Sequence, residues 1–116
     1  MKYLLILNDP PYGTERSYNG LRLAMSLGKR EGTELRLFLM ADSVACAKTA
    51  QKTPSGFYNI ERMIKGLTGS NISVGVCGSC IDARGLVETD LAEGVHRSSM
   101  DELTDWSIWA DKVIVF

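Results

Sequence analysis

The sequence predicts an α/β protein built on a mostly parallel sheet with helices on both faces. Short apolar runs alternate with segments of helical periodicity from one end of the chain to the other. The strand segments read as unbroken apolar runs, the pattern of strands buried on both faces. At 116 residues the expectation is one domain, 1–116, able to bury a core with no disulfide or metal to help it.

Each element follows from local chemistry. Lys2–Leu7 is a continuous apolar strand stopped by Asn8-Asp9-Pro10-Pro11. Tyr18, Leu21, Ala24, Met25 and Gly28 recur at helical spacing, with Thr14 or Ser17 as the expected cap and Gly32 closing the end. Thr33–Ala41 reads as the second strand, and Asp42 is expected to cap a short helix through Ala50. After the Thr53-Pro54-Ser55-Gly56 loop, Asn59 caps a helix whose inner face is Ile60, Met63, Ile64 and Leu67. Tyr58 and Met63 are placed to staple its start, and Gly69 ends it. Ile72–Val76 is the third strand, running into Cys77-Gly78-Ser79-Cys80 and a short helix that ends at Gly85. A weak fourth strand falls near Gly94–Arg97. Ser99-x-x-Glu102 is a capping-box pattern opening a helix with Met100, Leu103, Trp106 and Ala110 inward, and Lys112–Phe116 is the last strand.

Composition narrows the function classes. The net charge is −1 with no basic block, so nucleic acid is not an expected partner. No apolar run approaches the length of a membrane span, and the six-residue run near the start is too short for a signal-peptide core. The expected location is cytoplasmic. Three cysteines in a reducing compartment are expected to stay free.

In an open parallel sheet the site forms at the carboxyl ends of the strands. Three turns qualify: Asn8–Gly13, Ala41–Ser43 and Cys77–Ser79. Cys77 is therefore expected to share an edge with Asn8, the Tyr12-Gly13 loop and Asp42. A helix beginning at Ser79, capped by the Ser79 hydroxyl, puts Cys77 in front of a helix N-terminus, where a thiolate is favoured. Gly78 would let backbone approach the sulfur, and Arg84 would add positive charge. Cys80, one turn on, is either a second reactive thiol or a packed one. Cys46, in an alanine-rich segment with no cationic neighbour, reads as a small buried hydrophobe.

Competing motifs fail on their missing parts. Structural zinc needs two more ligands, and Cys46 and His96 lie in unrelated segments, so neither a metal nor a cofactor is expected. A thioredoxin-type couple needs a later proline, and the prolines are Pro10, Pro11 and Pro54, all upstream. His96 alone reads as structural. Asp101, Glu102 and Asp105 read as a solvated helix face.

The blocks "NDPPYGTERSYNGLRLAMSL", "LRLFLMADSV", "YNIERMIKGLT", "VCGSCIDARGL" and "WADKVIVF" together resemble the DsrE/DsrF-like family, in its YchN-like branch, over essentially the whole chain. The resemblance implies a three-layer α/β/α sandwich with a mostly parallel five-stranded sheet. It implies sulfur-relay work, with sulfane sulfur accepted from a donor protein, carried as a persulfide on Cys77 and passed to an acceptor protein. The CxxC spacing leaves Cys80 two roles, releasing that sulfur by closing a Cys77–Cys80 disulfide or standing as a packed thiol. It also implies a homo-oligomer, a hexamer built as a trimer of dimers. Trp106, Trp109 and the Thr53–Tyr58 loop are candidates for its contacts. The alternatives are a non-catalytic oligomeric ligand- or partner-binding module, or a CxxC thiol–disulfide redox protein.

Overall fold

The computed structural model describes all 116 residues. Five parallel strands form one sheet: β1 (Lys2–Leu7), β2 (Glu34–Leu39), β3 (Ser73–Cys77), β4 (Val95–Ser98) and β5 (Lys112–Val115), in the order β4-β3-β2-β1-β5. The main helices are α1 (Arg16–Gly28), α2 (Ile60–Gly69), α3 (Gly78–Ala83) and α4 (Met100–Trp109). The fold class is the expected α/β one, and every expected strand is present to within two or three residues at its ends.

Strand order explains the layering. The steps from β1 to β4 all move the same way across the sheet, so right-handed crossovers put α1, α2 and α3 on one face. The step from β4 to β5 reverses direction, which sends α4 to the other face. The first face carries a core cluster of 17 buried residues, among them Leu5, Leu7, Leu21, Leu37, Ile64 and Val76. The second carries five: Leu4, Ile6, Phe38, Leu103 and Trp106, with Phe38 and Trp106 edge-to-face at 6.2 Å.

Local chemistry departs from the sequence reading in several places. α1 has no side-chain cap on its first turn. Thr14 Oγ1 accepts from the Arg16 N–H, whereas Ser17 lies inside the helix, buried, donating to the Asp9 carbonyl at 2.7 Å. The segment after β2 is a 3₁₀ helix, Ala41–Ala47, and Asp42 does not cap it. It begins at Ala41 with φ 52°, a left-handed conformation that costs a residue with a Cβ. Asn59 does cap α2, accepting from the Arg62 N–H at 3.1 Å. Only half of the α4 capping box forms: Ser99 Oγ accepts from the Glu102 N–H, while the Glu102 carboxylate turns to Ser98 and His96. Met100, expected inward, is 64% exposed at the first position of α4, and the buried residues of that helix are Leu103 and Trp106.

Candidate functional site

β3 delivers Cys77 to the carboxyl edge of the sheet, and Cys77 itself occupies the cap position of α3, which begins at Gly78 and not at Ser79. The Ser79 hydroxyl therefore caps nothing; it lies 3.4 Å from Cys77 Sγ. α3 ends in a Schellman turn at Gly85 (φ 67°), where the Gly85 N–H meets the Asp82 carbonyl and the Leu86 N–H the Ile81 carbonyl. A six-residue helix held at its far end keeps Cys77 and Cys80 in fixed relation.

Register sets the neighbours. Leu39 pairs with Val76, so Met40 follows beside Cys77, and on the other side Cys77 pairs with Ser98. Phe38 pairs with Gly75, on the α4 side of the sheet. Gly75 packs tightly there: a Cβ would come to 3.2 Å from both Ser98 Cβ and the Trp106 ring, so those neighbours would have to give way by a few tenths of an ångström. The result is a cleft of about 340 Å³ between the β3 end and the first turn of α4, with Phe38, Met40, Cys77, Arg97, Ser98 and Met100 in its wall.

Arg97, Met40, Met100 and Ser98 were not anticipated as site residues. Arg97 makes a two-pronged bond to Asp82 on α3, at 2.9 and 2.8 Å. Its guanidinium lies over Gly78, where a Cβ would meet Cζ at 2.8 Å. Gly78 is thus small to admit an arginine, not to bring backbone to the sulfur. The signal available in the sequence was the pairing of Asp82 with a basic residue one strand later; nothing local to Arg97 marks it. Ser98 Oγ donates to Glu102 Oε1 at 2.6 Å, and His96 Nε2 bonds the same oxygen. Burial alone would raise the Glu102 carboxyl; the bonds from Ser98 and His96 more than offset it and hold it below the usual range.

The expected companions divide. Asp42 and Arg84 do meet, Arg84 donating to Asp42 Oδ1 at 3.1 and 2.7 Å and to the Cys80 carbonyl at 3.1 Å. They flank Cys80 and stand outside the cleft wall. Cys80 Sγ accepts from the N–H of the strained Ala41 at 3.3 Å. Asn8 is turned the other way, its backbone and side-chain N–H groups both on the Phe116 carbonyl across the β1–β5 boundary. Tyr12 donates to Gln51 Oε1 at 2.6 Å and accepts from the Ile60 N–H, so it fastens the loop to α2. Gly13 (φ 100°) shapes that same loop. None of Asn8, Tyr12 and Gly13 enters the Cys77 cleft. Trp106 is core, and Trp109 lies half-buried under the Arg36 guanidinium at 3.9 Å.

All three cysteines are free thiols. Partial burial acts to raise Cys77, but the Cys80 thiol, the Ser79 hydroxyl and the N–H groups of Cys80 and Ser79 outweigh it, and its pKa falls below the ordinary thiol value. Cys80 moves up: burial and the Cys77 sulfur together exceed the help from the Ala41 N–H and Arg84. No three His, Cys, Asp or Glu side chains gather as metal ligands.

The family model for the DsrE/DsrF-like family matches residues 1–116. The chain belongs to that family. It is 41% identical to the protein YchN of Escherichia coli over 116 residues, covering 99% of this chain and 98% of YchN. The crystal structure of Escherichia coli YchN superposes with a TM-score of 0.93 at 40% identity, over 100% of this chain and 99% of that one. A more distant relative is the sulfurtransferase TusD of Salmonella typhi, 25% identical over the full length of both chains. The three-layer α/β/α arrangement is therefore the family fold. No helix is long and apolar enough to cross a membrane.

Proposed function

We propose that the chain is a sulfur-relay protein that carries sulfane sulfur as a persulfide on Cys77. The observation that carries this is a thiol more acidic than an ordinary cysteine, set at a strand end in the wall of an open cleft. Similarity to a sulfurtransferase supports the same reading. In the loading step the Cys77 thiolate attacks the sulfane sulfur of a donor. A Cys77 S–S bond forms, the donor's S–S bond breaks, and the donor leaves as a thiolate. In the unloading step an acceptor thiolate attacks the outer sulfur and Cys77 leaves as a thiolate. The lowering favours both roles, since it enlarges the thiolate population and makes Cys77 a better leaving group.

Cys80 offers a second exit. Its thiolate can attack Cys77 Sγ, expel hydrosulfide and close a Cys77–Cys80 disulfide, which a dithiol reductant must then reopen. A CxxC redox protein that never holds persulfide is the competing reading. Mass spectrometry of the residue 66–84 peptide after exposure to a polysulfide donor decides between them. We expect one added sulfur on Cys77 in the parent and in Cys80→Ser, and none in Cys77→Ser. Disulfide without any persulfide in Cys80-containing chains, together with an unloaded Cys80→Ser, would sink the relay.

The relay form is proposed to be a homohexamer, a trimer of dimers in the cytoplasm. The support is an apolar surface with no cover: Phe57 is 69% and Tyr58 48% exposed beside Met63. Light scattering at micromolar concentration tests it, and a clean 12.8 kDa species refutes it.

A further inference from the structure

Among the residues in the wall of the Cys77 cleft, Arg97 is the one that carries a formal charge. Three observations place it beside the sulfur. Register sets Ser98, its neighbour on β4, directly across from Cys77. Its guanidinium lies against Gly78, the residue after Cys77, so closely that a Cβ there would meet both Cζ and Nε at 2.8 Å. Asp82 acts first to hold the guanidinium charged, and Glu88 and the Cys77 sulfur add to that. Asp82 takes one N–H from each terminal nitrogen, at 2.9 and 2.8 Å, and no other protein group bonds the guanidinium. The Nε–H and the second N–H on each terminal nitrogen are left as donors. Arg84 is spent differently, on Asp42 and the Cys80 carbonyl outside the cleft. The Cys80 thiol, the Ser79 hydroxyl and two backbone N–H groups already account for the acidity of Cys77 against its burial. The charge of Arg97 is therefore free for a second anion.

We propose that Arg97 is a further catalytic residue of the relay, its guanidinium the anion partner of the outer sulfur on Cys77. The role rests on the persulfide reading. In loading, the Cys77 thiolate attacks the outer sulfur of an anionic persulfide or polysulfide donor. One S–S bond forms on Cys77, the donor's S–S bond breaks, and its electron pair leaves with the donor as a thiolate or a shorter polysulfide. The Cys77 sulfur is oxidised to the persulfide level as the donor's is reduced, so no outside oxidant is needed and no proton has to be placed. Two anions meet and two part, and a fixed cation lowers the repulsion where they meet. A hydropersulfide is a stronger acid than its thiol, so the loaded chain holds its charge on a sulfur about 2 Å beyond Cys77 Sγ. The free N–H groups of Arg97 are the charged donors of the cleft that sulfur enters. Gly78 serves the same end, because without a side chain it leaves the guanidinium its place.

The test compares the full-chain parent with Arg97→Gln, Arg97→Lys and Gly78→Ala, with inorganic polysulfide as donor and persulfide on the Cys77 peptide as the readout over time. Arg97→Gln should load about tenfold more slowly, a smaller loss than in a water-excluded anion site because the cleft is open. Arg97→Lys should recover part of the rate, since it keeps the charge without the fork. Gly78→Ala keeps the arginine and favours the helix, yet its Cβ displaces the guanidinium, so loading should slow there too. Alkylation separates charge from structure. Iodoacetate, an anion, should lose rate on Cys77 in Arg97→Gln, whereas neutral iodoacetamide should change by less than about twofold. Cys46 should stay unlabelled throughout, which reports an intact fold. A parent that takes up no sulfur overturns the relay reading itself. A parent that loads, beside an Arg97→Gln that loads equally fast, overturns the role of Arg97 alone. So does a fall in iodoacetamide labelling equal to the fall in loading, which would show Arg97 acting through the Cys77 thiol and not on the incoming anion.

Discussion

Cys46 and Cys77 belong to the same end of the same sheet, yet the structure makes opposite chemical objects of them. Cys46 is fully buried in the 3₁₀ segment after β2, its sulfur 3.9 Å from the Asp9 carbonyl. Burial pushes its pKa up to about 12, against a small lowering by Ser17. Cys77 is only partly buried, and around its sulfur converge a thiol, a hydroxyl and two backbone N–H groups. Depth of burial separates the two first, and the donors that reach the Cys77 sulfur widen the gap.

The widest expected gap is in alkylation. At pH 7 a thiol of pKa about 12 is ionised in roughly one molecule in 10⁵, against a few per cent for an ordinary cysteine. Iodoacetamide should therefore modify Cys77 at least about a thousandfold faster than Cys46 in the native protein. Peptide mapping over time measures this. Cys46 that labels before the protein unfolds would break the comparison.

The next effect is on stability in alkali. Cys46 keeps its proton in the folded state while the unfolded chain gives it up at a pKa near 9. The unfolded state therefore binds fewer protons above pH 9, and stability falls as the pH rises. The contribution is full below about pH 9 and is lost toward pH 12, at about 1.4 kcal/mol per pH unit. Urea titrations of the parent and Cys46→Ala across pH 8–11 should show the extra slope in the parent alone. Parallel slopes would mean that the thiol is less sequestered than its burial indicates.

The smallest effect sharpens the other half. Removing the Cys80 thiol in Cys80→Ala should raise the Cys77 pKa and slow its labelling at pH 7 by a few-fold, with Ser79→Ala having a lesser effect in the same direction. A pH–rate profile of labelling reads both. If neither variant moves it, backbone N–H groups alone set the acidity of Cys77.

Much of this was legible in the chain. Apolar runs and helical spacings gave the β–α order, and the strand-to-helix turn put Cys77 at a carboxyl edge. The cleft was not legible, because its walls come from β2, β4 and α4, which register brings together and no local pattern announces. Strand order decides which turns are neighbours. With β5 beside β1, Asn8 is drawn to Phe116, and Tyr12 is claimed by Gln51. Asp42 looked like a cap because its position fitted one. Arg84, 42 residues away, competes successfully for the carboxylate. Met100 was placed inward by spacing alone, and spacing does not say whether the first turn of a helix is covered.

The unequal layers set which part of the molecule breathes. Local opening costs least where the fewest apolar contacts must part. α4 is fastened to its face by a cluster of five residues, whereas the opposite face rests on seventeen. α4 also carries Met100, and its Glu102 is the hydrogen-bond partner of Ser98 and His96. The cleft beside Cys77 thus has one wall anchored in the thick core and one anchored in the thin layer, and the α4 wall is the one whose local opening costs least. Its order is therefore set by residues remote from the sulfur, Leu103 and Trp106, and not by the cysteines.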